Sequence, residues 1–139
     1  MQLTGAQIKL IKKSWEIFRV IDPVTIGEVF YGKLFLQHPA LEKLFSTSMN
    51  EQYKKLVDML SVIVSRLEKL DELTNDINNM AVRHVQYGVK PKHYEYVGEA
   101  LLWTLKRGLA NDWNAETEEA WMACYYILAS TMINAAESK

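Results

Sequence analysis

The chain of 139 residues is 49 % apolar and 24 % charged, a balance that is typical of a folded domain and excludes a disordered segment. Its length predicts a single domain over residues 1–139, and its net charge of −1 excludes a general attraction to nucleic acid or to an anionic membrane. One cysteine, Cys124, excludes an internal disulfide or a multi-cysteine metal site. With no signal-peptide pattern and no apolar run of roughly 18 to 20 residues, we expect a soluble cytoplasmic protein.

The amino-terminal part of the chain predicts two helices. Thr4 and Gln7 have the spacing of a capping box, which predicts the start of the first helix. Asp22 and Pro23 have the residue types of an N-cap and a first turn, and predict the start of the second. Helical spacing is shown by Ile8, Ile11, Trp15 and Phe18 in the first helix, and by Ile26, Val29, Phe30, Leu34 and Phe35 in the second.

The next segment predicts a short helical turn and then a long helix. A His-Pro pair at residues 38–39 opens the turn. Ser48 and Glu51 have capping-box spacing and predict the start of the long helix, which the apolar pattern carries to about Glu68. A polar link is expected at residues 71–72.

A histidine occupies the apolar face of the following helix. Leu73, Ile77, Met80 and His84 succeed one another at spacings of four, three and four, which places them on one side of a helix. Gly88 is expected to end this helix, because glycine adopts the backbone conformation that closes a helix without strain.

Two more helices complete the predicted all-α chain. Lys90 and Pro91 introduce one helix, which should fade between residues 108 and 112. Asn114 is expected to cap the last helix. Its predicted buried positions are Ala120, Trp121, Cys124, Ile127, Leu128, Thr131 and Met132.

His84 is the strongest candidate for chemistry, because a neutral imidazole on an apolar face can donate a lone pair to a metal. A hydrogen-bonded core histidine is the alternative interpretation. On the long helix, Gln52 and Leu56 share a face and offer an amide beside an apolar wall. Tyr31 adds a phenol four residues after Gly27, where the missing side chain predicts close approach of another helix.

These residues together resemble the globin family, in particular bacterial single-domain haemoglobins and the globin domain of flavohaemoglobins, with neuroglobin-like features. The resemblance covers nearly the whole chain, and a globin fold of about seven to eight helices is what it implies. The matching segments are residues 30–35, 38–39, 44–45, 52–56, 82–89, 93–99 and 120–121, together with Tyr125.

The resemblance implies that the chain binds haem b and that His84 is the proximal iron ligand. It places Tyr31, Gln52 and Leu56 on the distal side, where a gas binds. Lys55 and His93 would meet the haem propionates, although a solvated surface role is the alternative. The remaining haem contacts that it implies are Phe35, Phe45, Met80, Val89, Tyr94 and Val97.

Reversible O2 binding at a pentacoordinate ferrous haem is the leading functional expectation, for transport, storage or scavenging. Tyr31 and Gln52 are expected to donate hydrogen bonds to the bound gas and to slow its release. A glutamine has no titratable nitrogen, so we expect the sixth iron position to stay open.

Three alternative functions are compatible with the sequence. The first is a nitric oxide dioxygenase, with Tyr31 and Gln52 in the catalytic site and a separate reductase as partner. The second is a sensor of O2, NO or CO, and the third is a globin without haem that acts only in protein interaction. We expect a monomer or a weak homodimer, with no nucleic-acid or membrane partner.

The sequence departs from the flavohaemoglobin pattern at one position. In those proteins a tyrosine and a glutamate polarise the proximal histidine. Tyr94 matches the tyrosine, whereas the glutamate position falls on Ala136, with Glu137 one residue further on. We therefore expect a weaker polarising network, which suits reversible binding better than oxygen activation.

Overall fold

The computed structural model describes residues 3–45, 48–86 and 88–137, which form α-helices, short 3-10 helices and connecting turns, with no strand in these ranges. This confirms the predicted all-α class. The α-helices are α1 (Gly5–Phe18), α2 (Pro23–Gln37), α3 (Met49–Ser65), α4 (Thr74–Gln86), α5 (Pro91–Leu109) and α6 (Ala115–Glu137). The 3-10 helices are Pro39–Leu44, Leu67–Leu73 and Ala110–Asp112.

Three predicted helix starts are confirmed by their capping hydrogen bonds. The Gln7 backbone N–H donates to Thr4 Oγ1 at 3.1 Å, and the Thr4 N–H donates to Gln7 Oε1 at 2.9 Å, which completes the capping box of α1. Asp22 Oδ1 accepts from the N–H two residues later at 3.2 Å. Asn114 Oδ1 accepts from the N–H three residues later at 2.8 Å. Each bond satisfies an N–H that the helix itself leaves unpaired.

The predicted capping box at the start of α3 is wrong. Ser48 has the backbone conformation of an N-cap, with φ −55° and ψ 132°, but its side chain makes no capping hydrogen bond. Glu51 is the acidic residue of the first turn. Its negative charge stabilises the positive end of the helix dipole without the reciprocal bond.

Helix α3 is also shorter than predicted. The α-helix ends at Ser65 rather than near Glu68, and the chain continues as the 3-10 helix Leu67–Leu73. Lys69 interrupts that segment with a non-helical φ of −136°. The predicted polar link at residues 71–72 therefore lies inside a 3-10 segment, where buried Leu67 and Leu73 anchor the turn.

Helices α1 and α6 pack against each other through aromatic rings. The rings of Trp15 and Trp121 lie 6.2 Å apart, and both side chains are buried. The indole N–H of Trp121 donates to Ser14 Oγ at 2.9 Å, and this hydroxyl donates to the Ile11 carbonyl at 2.9 Å. The contact thus buries two large rings and gives the Trp121 N–H a hydrogen-bond partner.

Gly27 sets the close approach of α2 and α3, as the sequence predicted. A Cβ at this position would lie 2.2 Å from Cγ of Tyr53 on α3. A real Cβ cannot approach another carbon atom so closely. The absent side chain therefore lets the Tyr53 ring lie against the backbone of α2.

Helix α4 ends at Gln86, two residues before the predicted glycine. Gly88 has a φ of +90°, which glycine adopts without strain. Its N–H donates to the Val85 carbonyl at 3.0 Å, and the Val89 N–H donates to the His84 carbonyl at 3.0 Å. These bonds turn the chain out of α4 directly after His84.

The helices of the described ranges do not have the length and apolar character that crossing a bilayer requires.

Candidate functional site

A largely apolar cavity of about 550 Å³ lies among the helices. Its walls come from α2 through α6 and from the short helix Pro39–Leu44. Cavities of roughly 300 to 1,000 Å³ are typical of sites for small molecules and cofactors. The cavity is therefore large enough for an organic cofactor.

His84 projects into this cavity from α4. Its Nδ1 lies 2.7 Å from the backbone carbonyl of Met80. A carbonyl only accepts, so the neutral ring carries its proton on Nδ1 and its lone pair on Nε2. Burial lowers the pKa of His84, the Met80 bond opposes this change, and Arg83 adds to the lowering. The side chain is therefore neutral near pH 7, as a metal ligand must be.

Tyr31 on α2 and Gln52 on α3 supply further polar groups to the cavity wall. Tyr31 is only 7 % exposed. Burial raises the pKa of Tyr31 to about 12, and a hydrogen bond from the Gln52 side chain opposes the rise. The phenol is therefore protonated at neutral pH and can act as a donor. Leu56 lies one turn after Gln52 and adds an apolar surface.

Four aromatic rings surround the ring of Tyr31. Phe30 and Phe45 meet it edge-on at centroid distances of 4.8 and 5.3 Å, and both also line the cavity. Phe35 and Tyr53 lie 5.8 Å away in tilted arrangements. The structure does not bring Phe35 to the cavity wall; its ring packs against those of Tyr31 and Phe45.

Tyr94 and Tyr125 form the cavity wall next to His84. The Tyr94 ring lies nearly parallel to the His84 ring at a centroid distance of 6.5 Å. The Tyr125 hydroxyl donates to the backbone carbonyl of Tyr94 at 2.5 Å. Gly98 makes room for Tyr125, because a Cβ there would lie 2.7 Å from its ring. The predicted glutamate position, at residues 136–137, lies outside the described side chains.

The charged side chains of the described cavity wall are basic. Lys55 and Arg83 line it together with His93. His93 Nδ1 accepts from the backbone N–H of Lys90 at 2.9 Å, which fixes the ring at the start of α5. Burial lowers the pKa of His93, and the positive charge of Lys92 lowers it further. This part of the wall therefore suits a ligand with carboxylates.

The structure brings the predicted site residues together, apart from Phe35. Those that line the cavity are Tyr31, Phe45, Gln52, Lys55, Leu56, Met80, His84, Val89, His93, Tyr94 and Val97.

Sequence reasoning gave no cavity role to the α6 residues that form one side of the wall. They are Trp121, Cys124, Tyr125, Leu128, Ala129 and Met132. The apolar spacing in α6 predicted that most of these positions are buried. It could not separate cavity from core, because both environments select apolar side chains.

The fold and the cavity define an all-helical protein with an internal site for a largely apolar cofactor. The model of the Globin family matches residues 28–132, and the chain belongs to the globin family. An uncharacterized globin-like protein of Aquifex aeolicus is 36 % identical over 131 residues, which cover 94 % of this chain and 92 % of that protein. Haem binding follows from membership of this family.

Two further relatives agree with this assignment. A flavohemoprotein of Vibrio cholerae is 27 % identical over 135 residues, which cover 95 % of this chain but only 34 % of that protein. The chain thus spans about a third of that relative's length. The structure of a bacterial globin from Campylobacter jejuni superposes with a TM-score of 0.82 at 26 % identity, covering 97 % of both chains.

The residues present fit haem. The walls are largely apolar, a neutral imidazole with its lone pair on Nε2 projects from one helix, and Lys55, His93 and Arg83 offer hydrogen-bond donors to two carboxylates. This donor set matches an iron porphyrin, which needs one axial nitrogen from the protein and partners for its propionates.

Proposed function

We propose that this globin domain binds haem b through His84 and binds O2 reversibly. One observation carries the proposal: a neutral imidazole and a pair of hydrogen-bonding side chains, Tyr31 and Gln52, line the same apolar cavity. When bound, haem b supplies a ferrous iron that coordinates a diatomic gas.

His84 is held in the orientation that ligation needs. The Nδ1–H bond to Met80 fixes the tautomer and the direction of the ring, and so presents the Nε2 lone pair. Met80 is one turn before His84 on the same helix, so the bond does not depend on any other element. In this proposal α4 alone orients the iron ligand, and the Tyr94 ring of α5 lies beside it.

In this proposal Gln52 donates a hydrogen bond to Tyr31, and Tyr31 donates one to the gas on the distal side. Burial raises the pKa of Tyr31, and the hydrogen bond with Gln52 opposes this rise. In this proposal the Gln52 amide donates that bond to the phenol oxygen. The Tyr31 O–H is then available to donate to a gas ligand. A bond donated to the oxygen of Tyr31 also strengthens the bond that its hydroxyl makes in turn.

The other cavity residues hold the cofactor and keep water out. Lys55 and His93 meet the propionates in this proposal, and Phe45 packs on the porphyrin face. Leu56 and Val97 supply apolar surface, which makes the hydrogen bonds within the cavity stronger than they would be in water.

Replacement of His84 tests the proposed ligation. We expect His84→Gly to lose the visible spectrum of a histidine-ligated ferrous haem and to regain it when imidazole is added. His38→Ala is the matched control, because His38 stacks on Tyr96 at 3.7 Å and does not line the cavity. A His84→Gly spectrum identical to that of the unmodified protein would refute the ligation.

Replacement of Tyr31 tests the distal role. Tyr31→Phe keeps the ring and its packing and removes one hydrogen bond, which is worth about 0.5 to 1.5 kcal/mol. We expect O2 to dissociate about twofold to tenfold faster in a stopped-flow measurement. An unchanged dissociation rate would mean that the phenol does not reach the gas.

A second candidate function is nitric oxide dioxygenase with a separate reductase. The similarity to a flavohemoprotein and the presence of two distal hydrogen-bonding groups favour it. Sustained NO consumption with an added reductase would support this function. Oxygenated protein that releases O2 intact and shows no such turnover would support the carrier.

A further inference from the structure

Tyr53 lies on α3 directly after Gln52 and packs against α2. A Cβ on Gly27 would lie 2.2 to 2.4 Å from Cγ, Cδ1 and Cβ of Tyr53. The base of the Tyr53 side chain therefore occupies the space that any other residue at position 27 would fill. Tyr53 itself does not line the cavity.

Gly27 is one helical turn before Tyr31. The Tyr53 ring, which lies against Gly27, therefore occupies the space next to the Tyr31 side chain. Side chains on a helix point back toward the preceding turn, which for Tyr31 is the turn that contains Gly27. The two tyrosine rings lie 5.8 Å apart with an angle of 32° between their planes. Since Gly27 has no side chain, Tyr53 takes the place of the neighbour that would normally limit the Tyr31 ring on this side.

We propose that Tyr53 is a positioning residue for the Tyr31 hydroxyl, an inference that rests on the proposed gas-binding role of Tyr31. Neighbouring residues of α3 then have two different tasks. Gln52 hydrogen-bonds to the phenol, and Tyr53 holds the ring that carries it. Phe30 and Phe45 confine the same ring from its edges.

Removal of the Tyr53 ring would open space between Gly27 and Tyr31. The Tyr31 side chain could then rotate toward α3 and draw its hydroxyl out of the cavity. The ring of Tyr53 performs this task and its hydroxyl does not, so Tyr53→Phe should keep the geometry. Tyr53→Leu is a second variant that retains bulk at the helix crossing but lacks the flat ring.

The test measures O2 dissociation and the infrared C–O stretch of the CO complex, in the haem-bound protein. We expect Tyr53→Ala to speed O2 release about twofold to tenfold, by no more than Tyr31→Phe does, and to shift the C–O stretch toward the value of Tyr31→Phe. Tyr53→Leu should change both in the same direction, and Tyr53→Phe should change neither. In a Tyr31→Phe background, Tyr53→Ala should change the dissociation rate less than twofold.

Two results would overturn the inference. One is an equal effect of Tyr53→Ala with and without the Tyr31 hydroxyl, which is the signature of a merely structural role. The other is unchanged release in folded Tyr53→Ala or Tyr53→Leu protein.

Failure of the proposed function gives a different pattern, in which Tyr31→Phe itself leaves O2 release unchanged. The χ1 rotamer of Tyr31, measured from NMR scalar couplings in the CO complex, then decides the positioning role by itself. A changed rotamer in Tyr53→Ala but not in Tyr53→Phe supports the role, and an unchanged rotamer in both overturns it.

Discussion

Substitution of Gly27 by alanine should destabilise the protein, although alanine is the better helix former. A single added methyl group would lie 2.2, 2.3 and 2.4 Å from Cγ, Cδ1 and Cβ of Tyr53. These atoms belong to the base of the side chain, so a simple rotation of the ring does not relieve the overlap. Either α2 and α3 separate or Tyr53 leaves its place.

The magnitude follows from two opposing contributions. Overpacking of a well-packed contact costs typically about 1 to 3 kcal/mol, and the position of the clash near the α3 backbone favours the upper part of this range. Replacement of glycine by alanine inside a helix contributes about 1 kcal/mol in the opposite direction. We therefore expect a net loss of about 1 to 2 kcal/mol, which lowers Tm by roughly 3 to 7 °C for a chain of this size.

Gly32 is the matched control on the same helix. A Cβ there would meet nothing within 4 Å, so Gly32→Ala should gain about 0.5 to 1 kcal/mol from the helix propensity alone. Urea unfolding of both variants, followed by circular dichroism, measures the two changes. The reasoning is refuted if Gly27→Ala is as stable as the unmodified protein or more stable, or if both variants change stability equally.

One substitution and one chemical reaction test the burial of side chains in the core. Ser14→Ala removes the oxygen that accepts from the buried Trp121 indole N–H, so it should cost about 1 to 3 kcal/mol in urea unfolding; a loss below about 0.5 kcal/mol would contradict this. Burial raises the pKa of the Cys124 thiol from 9.0 to about 12, so the native protein should react with a thiol reagent at pH 8 about a thousandfold more slowly than the unfolded chain. Equal reaction rates in the native and the unfolded protein would contradict the burial of Cys124. The same shift should lower folding stability as the pH rises from 9 through about 12.

Much of the site could be predicted because its residues repeat at helical spacing. His84 shares a face with Ile77 and Met80, and Gln52 shares one with Leu56, so the sequence alone assigned each set to one side of a helix. The structure adds that both faces line one cavity. The role of Tyr53 was not predicted, because its partner Gly27 is 26 positions away in the sequence and a partly buried tyrosine carries no signal of its own.

The predictions that failed rested on a local sequence pattern whose outcome depends on tertiary contacts. Ser48 and Glu51 have capping-box spacing, yet no side-chain cap bond forms. Phe35 follows the apolar pattern of α2, yet it packs against the rings of Tyr31 and Phe45 and does not line the cavity. A sequence pattern indicates which face of a helix is buried, whereas the exact surroundings of a side chain on that face depend on tertiary packing.

The sequence by itself determined the helices, most of their starts and the faces that would be buried. Capping bonds and apolar spacing act within one or two helical turns, so the order of residues is enough to specify them. Tertiary structure alone decided which faces meet. The bond from Trp121 to Ser14 joins residues 107 positions apart, and the contact of Tyr53 with Gly27 depends on where two helices cross. Such contacts arise from packing between helices, which no local pattern encodes.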